Sequence, residues 1–156
     1  MKPLKYVQLF EERLESLRQL VSLGLADNST EGLVKALDYM IAGSEGSLNL
    51  EGSDIVSLPD GLQVGGSLIL RSCTGLTSLP AGLVVGGSLY LEGCTDLTRL
   101  PDGLQVGGSL FVNNCTRLRS LPNGLRVKHS IFLKGSGVQD LPPDLEVGDH
   151  IFGLFR

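Results

Sequence analysis

Residues 89–109 read LYLEGCTDLTRLPDGLQVGGS. The stretch before it, LILRSCTGLTSLPAGLVVGGS at 68–88, and the stretch after it, LFVNNCTRLRSLPNGLRVKHS at 110–130, follow the same grammar. Copies one residue shorter flank these at 48–67 (LNLEGSDIVSLPDGLQVGGS) and 131–150 (IFLKGSGVQDLPPDLEVGDH), and a sixth begins as IFGLFR at 151–156. Pro59, Pro80, Pro101 and Pro122 recur at 21 residues, with Pro143 one step further. Five consecutive units at one fixed period signal a solenoid.

Within each unit the opening Leu-x-Leu is a period-two alternation, the mark of a short strand. Leu68 and Leu70 point to one side and Ile69 to the other. Cys73, Leu76, Leu79, Leu83 and Val85 follow at spacings too irregular for a helix face, so all must turn toward one enclosed axis. The Leu-Pro pair starts an extended return segment, because proline fixes φ and lacks an N–H. Gly82 and the pair Gly86-Gly87 serve turns. No unit contains a helical run, so the return arm is expected to be extended or turn-like.

This grammar explains a composition that would otherwise mislead. The chain of 156 residues holds 21 Gly, nearly twice the usual share, yet 42% of it is hydrophobic, which is neither disordered nor collagen-like. The formal net charge is −4, whereas a nucleic-acid binder carries a basic face. No stretch approaches the roughly 18 uninterrupted apolar residues of a membrane span. Between Met1 and Glu15 stand Glu11, Glu12 and Arg13, where a signal peptide needs an apolar core, so no classical export signal is expected. Nucleic acid and membrane are therefore not expected partners, and the location expected is the cytoplasm of the producing cell or of a host cell.

The repeat resembles the leucine-rich repeat, in particular the short Leu-Pro-containing class of secreted bacterial effector proteins. Leu89, Leu91, Cys94, Leu97, Leu100 and Pro101 stand at the matching positions, and the resemblance runs from residue 48 to about 156. Two features depart from it. Cys or Ser replaces the usual Asn, with one extra residue before the next Leu, and Gly86 stands where the family places another Leu. The second departure keeps a triangular β-helix open as the alternative. The fold class expected is α+β: a leucine-rich-repeat-like solenoid of short parallel strands over 47–156, about five repeats of 20–21 residues, behind a two-helix cap over 1–46.

The cap is read from periodicity. Leu4, Val7, Phe10, Leu14, Leu17 and Val21 alternate at spacings of three and four, one stripe of an amphipathic helix that Gly24 ends. Asn28 followed by Glu31 resembles a capping box, opening a second helix through Leu33, Val34, Leu37 and Ile41 to Gly43. Stacked repeats need such covers at their termini, and the effector class carries a helical hairpin in this place. A hairpin that docks a partner or acts as a delivery signal is the functional alternative.

Most chemistry-bearing residues have a structural explanation. Cys73, Cys94 and Cys115 recur at the repeat period and so form one column inside the turn, with Ser53 and Ser136 in the end units. Buried cysteine there fills a corner and bonds a turn carbonyl rather than holding zinc or a disulfide. The Gly-Gly-Ser turns lack the following helix and Lys of a phosphate loop. His129 and His150 stand at degenerate turn positions without a partnered nucleophile and acid. Asn28-Ser29-Thr30 and Asn114-Cys115-Thr116 match glycosylation sequons that an unexported protein leaves idle. No catalytic residue, metal or other cofactor is expected.

The outward strand column is different. Between the core leucines stand Asn49, Ile69, Tyr90, Phe111, Phe132 and Phe152, with Arg71, Glu92, Asn113 and Lys134 one column over. On the other flank run Ser67, Ser88, Ser109, Ser130 and His150. Large apolar side chains at strand spacing with a mixed polar rim are composed as an interface is. A cross-strand aromatic ladder that only stabilises the sheet uses the same residues.

The expected function is a non-enzymatic protein–protein interaction module. It binds and blocks or scaffolds a protein target through its concave strand face, as a bacterial effector-like protein or a phage-encoded inhibitor. The alternative is a self-assembling structural protein whose aromatic strip and open C-terminal end, Ile151 to Phe155, make homo-oligomer contacts, a homodimer among them.

Overall fold

In the computed structural model, residues 4–24 and 28–154 are described, with side chains from residue 11 onward apart from Asn28. Two helices, α1 (Leu4–Ser22) and α2 (Asn28–Ile41), precede eleven two-residue strands. Odd-numbered strands β1 (Leu48–Asn49), β3 (Leu68–Ile69), β5 (Leu89–Tyr90), β7 (Leu110–Phe111), β9 (Ile131–Phe132) and β11 (Ile151–Phe152) form one parallel sheet in chain order. Even-numbered strands β2 (Gln63–Val64), β4 (Val84–Val85), β6 (Gln105–Val106), β8 (Arg126–Val127) and β10 (Glu146–Val147) form a second. The chain is α+β, a β-solenoid of five turns covered at its N-terminal end by two helices.

The second sheet refines the expectation of a merely extended return arm. Each coil is extended on two sides that meet at the glycine corner, and the Leu-Pro arm closes the third. Two residues per strand suffice because pairing is with the coils above and below: Leu68 N donates to Ser88 O at 3.0 Å, and Leu70 N to Tyr90 O at 2.8 Å. Register follows the period, with Leu68 opposite Leu89 and Tyr90 opposite Phe111. In the last coil it shifts by one: Ser120 bridges Asp140 and Arg126 pairs with Glu146. The register partner of Pro122 is therefore Pro142, and Pro143 takes the place of Asn123.

The core lies along the coil axis. Leu68, Leu70, Cys73, Leu76, Leu83 and Val85 are fully buried, as are their counterparts in the next two coils. Each fully buried Leu contributes about 1.5–3 kcal/mol relative to exposure. The column is continuous from Ala36 of α2 to Val138, while Leu141, Leu145, Val147, Ile151 and Leu154 of the last coil are only partly buried.

The cap meets the solenoid through its smallest residues. A Cβ on Gly32 would lie 2.2 Å from Ser53 Oγ and 2.5 Å from Ile55 Cγ2, so α2 can approach the first coil only with glycine there. Ala36 is fully buried and Tyr39 and Met40 pack on the core, whereas Ile41 of the expected stripe is exposed. The contact stripe thus runs through Gly32, Ala36 and Tyr39/Met40, one position off the large apolar side chains. In α1, Leu14 is buried, and the helix packs on α2. Gly24, at φ +69°, ends α1 with its N–H on Val21 O. The side chains of Leu4, Val7, Phe10 and Asn28 lie outside the described residues, so the first half of the α1 stripe and the capping box do too.

The Tyr39 hydroxyl fixes the junction. It lies 2.7 Å from Ser44 O and 2.8 Å from Gly46 O, and accepts the Gly65 N–H at 3.1 Å. Gly65 N and Gly66 N in turn donate to Ser44 O and Gly46 O. The 44–46 segment therefore stands in for the coil that would precede the first glycine corner.

Candidate interaction face

On the odd-strand sheet, β pleating sends Leu89, Leu110 and Ile131 inward and Tyr90, Phe111 and Phe132 outward. Parallel in-register pairing puts the outward side chains directly above one another. The rings stack: Tyr90 to Phe111 at 4.8 Å between centroids and 4° between planes, Phe111 to Phe132 at 4.7 Å and 2°, and Phe132 to Phe152 at 5.0 Å and 14°. Strand spacing alone sets this separation, since neighbouring strands lie about 4.7–4.9 Å apart. Both faces of Phe111 and Phe132 are covered by neighbours, which leaves their edges outward. Ile69 continues the column below Tyr90 and is half-buried.

The polar column beside the rings is coupled to them at one end. Arg71 places its guanidinium carbon 4.3 Å from the Tyr90 ring centroid, and its Nε lies 3.3 Å from Glu92 Oε1. One side chain thus covers the open face of the first ring and pairs with the carboxylate of the next coil. Glu92 Oε2 is buried and accepts no hydrogen bond among the described residues. Asn113 is half-buried and Lys134 exposed in the same column. All nine residues singled out from the sequence, Ile69, Tyr90, Phe111, Phe132, Phe152, Arg71, Glu92, Asn113 and Lys134, stand on this one sheet face.

The serine flank has a structural task that its sequence position does not reveal. Ser88 N donates to Ser67 Oγ at 3.0 Å, Ser109 N to Ser88 Oγ at 3.0 Å, and Ser130 N to Ser109 Oγ at 3.2 Å. Ser47 accepts from Ser67 N below, and Ser130 from His150 N above. These hydroxyls hold coil to coil next to the corner. The repetition of Ser after Gly-Gly was the signal; only the stacking shows what it binds.

The cysteine column is tied into the coil stack. Cys73, Cys94 and Cys115 donate their thiols to Leu50 O, Leu70 O and Leu91 O of the preceding coil at 3.0–3.1 Å. Burial pushes the Cys94 thiol up to about 12 and that of Cys115 up to about 11, and raises Cys73. A thiol that keeps its proton is a poor nucleophile. The Gly-Gly corners are closed as well: a Cβ on Gly86 would lie 2.2 Å from Gly65 O. His129 pairs with Asp149 of the next coil at 3.1 Å, while the His150 ring tilts against Phe152 at 5.8 Å.

A groove of about 760 Å³ runs along the Leu-Pro arms, past Leu100, Pro101, Leu121 and Pro122, and no residue of the aromatic strip lines it. The strip is a ridged surface and not a pocket. No helix among the described residues is long and apolar enough to cross a membrane. Comparison of the chain with protein-family models, curated proteins and solved structures returned no match.

Proposed function

We propose that this chain is a protein-binding module without a reaction of its own, and that the odd-strand sheet face is where its target lies. The observation that carries the reading is the aromatic ladder from Tyr90 to Phe152. Four rings are held parallel on one rigid face, with their edges outward and charged or amide groups alongside. A surface whose rotamers are already fixed loses little entropy on binding, and aromatic residues dominate interface energetics.

Mechanistically the module acts by occupancy. Ring edges and the flanking methyl and methylene groups of Ile69 supply apolar contact. Arg71, Glu92, Asn113 and Lys134 set the register of the partner. The Leu-x-Leu and Leu-Pro grammar supports a place among leucine-rich-repeat-like proteins, and a small inhibitor or scaffold, bacterial effector-like or phage-encoded and working in a cytoplasm, suits that grammar.

The test is the double variant Phe111→Ala with Phe132→Ala, used as bait in a pull-down from the source cell beside the parent chain. The reading expects a thermal midpoint within several degrees of the parent and loss of the retained protein. Unchanged retention overturns it. Collapse of the fold assigns the ladder to stability instead, and the single variant Phe111→Leu, which keeps the apolar volume but removes the ring, then decides the binding question.

A further inference from the structure

Among the described residues the solenoid is covered by helices at one end and uncovered at the other, and the uncovered end has a sign. Neighbouring coils alternate in charge. Residues 48–67 carry Glu51, Asp54 and Asp60 and no base; 68–88 carry only Arg71; 89–109 are again acidic. Residues 110–130 carry Arg117, Arg119, Arg126 and Lys128 and no acid, and 131–150 carry Asp140, Asp144, Glu146 and Asp149 against Lys134 alone. Each cross-coil Arg–carboxylate pair joins neighbours of opposite sign: Arg71–Glu92, Arg117–Asp96 and Arg126–Glu146. By this rule the layer that fits beyond the last coil is basic.

Two further features of that end point to an extended segment. Ile131 N and Leu133 N donate forward to His150 O and Phe152 O at 2.9 and 2.7 Å. The equivalent donors of β11, on Ile151 and Gly153, have no strand beyond them among the described residues. An open strand edge pairs readily with another chain. Phe152, 47% exposed, stacks on Phe132 and meets the His150 ring at a tilt, and no second ring stacks on it among the described residues. At the far end of the same ladder the corresponding face, that of Tyr90, is covered by a guanidinium.

We propose that the outer edge of β11 and β10 receives an extended, arginine-bearing segment of a partner protein. Its backbone pairs with β11, one guanidinium covers the open face of Phe152, and its remaining bases meet Glu146 and Asp149. Charge also selects against a second copy docked end to end, since two acidic coils would then face each other. The proposal stands apart from the reading of the sheet face, because it uses the edge of the sheet rather than its surface.

The probe is a fluorescein-labelled octapeptide alternating Arg and Val, titrated into the full chain by anisotropy, with a Glu/Val peptide as control. Saturable binding of the Arg peptide alone is expected, with amide shifts confined to 144–154. Phe152→Ala should weaken it about threefold, and Glu146→Gln with Asp149→Asn by a similar factor, more at low salt than at high. Phe111→Ala with Phe132→Ala should leave it within about twofold, which separates this outcome from failure of the sheet-face reading. Equal binding of the Glu peptide, or shifts centred on Tyr90 and Phe111, overturns the proposal. So does a dimer of the free chain in sedimentation, or a peptide that binds only after residues 155–156 are removed, which would make the chain's own tail the occupant.

Discussion

Arg71 holds its guanidinium 4.3 Å from the centroid of the Tyr90 ring while its Nε reaches Glu92 of the next coil. A single side chain therefore links the polar column to the aromatic one. A cation over a tyrosine face contributes about 0.5–1 kcal/mol when partly exposed, and a surface ion pair about 0–1 kcal/mol. Arg71→Ala is expected to lower stability by about 1 kcal/mol on these grounds. The coupling is separable: a double-mutant cycle of Arg71→Ala with Tyr90→Leu, read by urea unfolding, should return about 0.5–1 kcal/mol. A coupling of zero would mean that the guanidinium merely lies nearby.

Tyr39 fastens the cap to the first coil through its hydroxyl, within 2.8 Å of Ser44 O and Gly46 O and with Gly65 N as donor at 3.1 Å. Tyr39→Phe keeps the ring packed on the core but leaves the Gly65 N–H short of one acceptor. A net cost of about 1–2 kcal/mol follows. Amide exchange should quicken first at Gly65 and Gly66, and a uniform loss of protection across all coils would contradict this local role.

How much of this was legible beforehand divides along a physical line. Leu68, Leu70 and Leu76 disclose their burial through spacing alone, because a repeat that stacks must place each copy above the last. The aromatic column was legible for the same reason, since pleating determines which way Tyr90 and Phe111 point. The second sheet was not, because Gln63-Val64 and its copies offer one inward residue each, too short an alternation to read. The Gly32–Ala36 contact was also hidden: a helix that must lie close to a coil uses small residues, whereas periodicity looks for large ones. The Arg71–Tyr90 contact depends on a rotamer, and no pattern in the chain encodes that.

The cysteine column carries a pH signature. Burial raises the Cys94 thiol to about 12 and the Cys115 thiol to about 11, from an ordinary value of 9.0. The native state therefore keeps its thiol protons at a pH where the unfolded chain loses them. Their contribution to stability is complete below pH 9 and is lost as pH rises toward 11–12. The double variant Cys94→Ser with Cys115→Ser, which adopts the residue found at Ser53 and Ser136, should show a shallower fall in its urea midpoint between pH 8 and about 10. An identical slope would remove the thiols as the cause. In the same pH range the folded parent should resist thiol alkylation until denaturant is added.

Two glycines 4 residues apart should respond to alanine for different reasons and to different extents. Gly103 sits at φ +74° with open space where a Cβ would be, so Gly103→Ala costs only its backbone strain, about 1–2 kcal/mol. Gly107 needs no left-handed φ, but its Cβ would lie 2.1 Å from Gly86 O and 2.9 Å from Gly86 C, both backbone atoms of the coil below. Relief requires the two coils to part at the corner, which breaks the Gly107 N to Val85 O and Gly108 N to Gly87 O bonds at 2.8 Å. Losing two such bonds in addition to the local packing puts Gly107→Ala at about 3 kcal/mol or more. The ranking is checked by urea denaturation of the two single variants side by side. If Gly103→Ala proved the more damaging, close coil stacking would not be the reason for the Gly-Gly repeats.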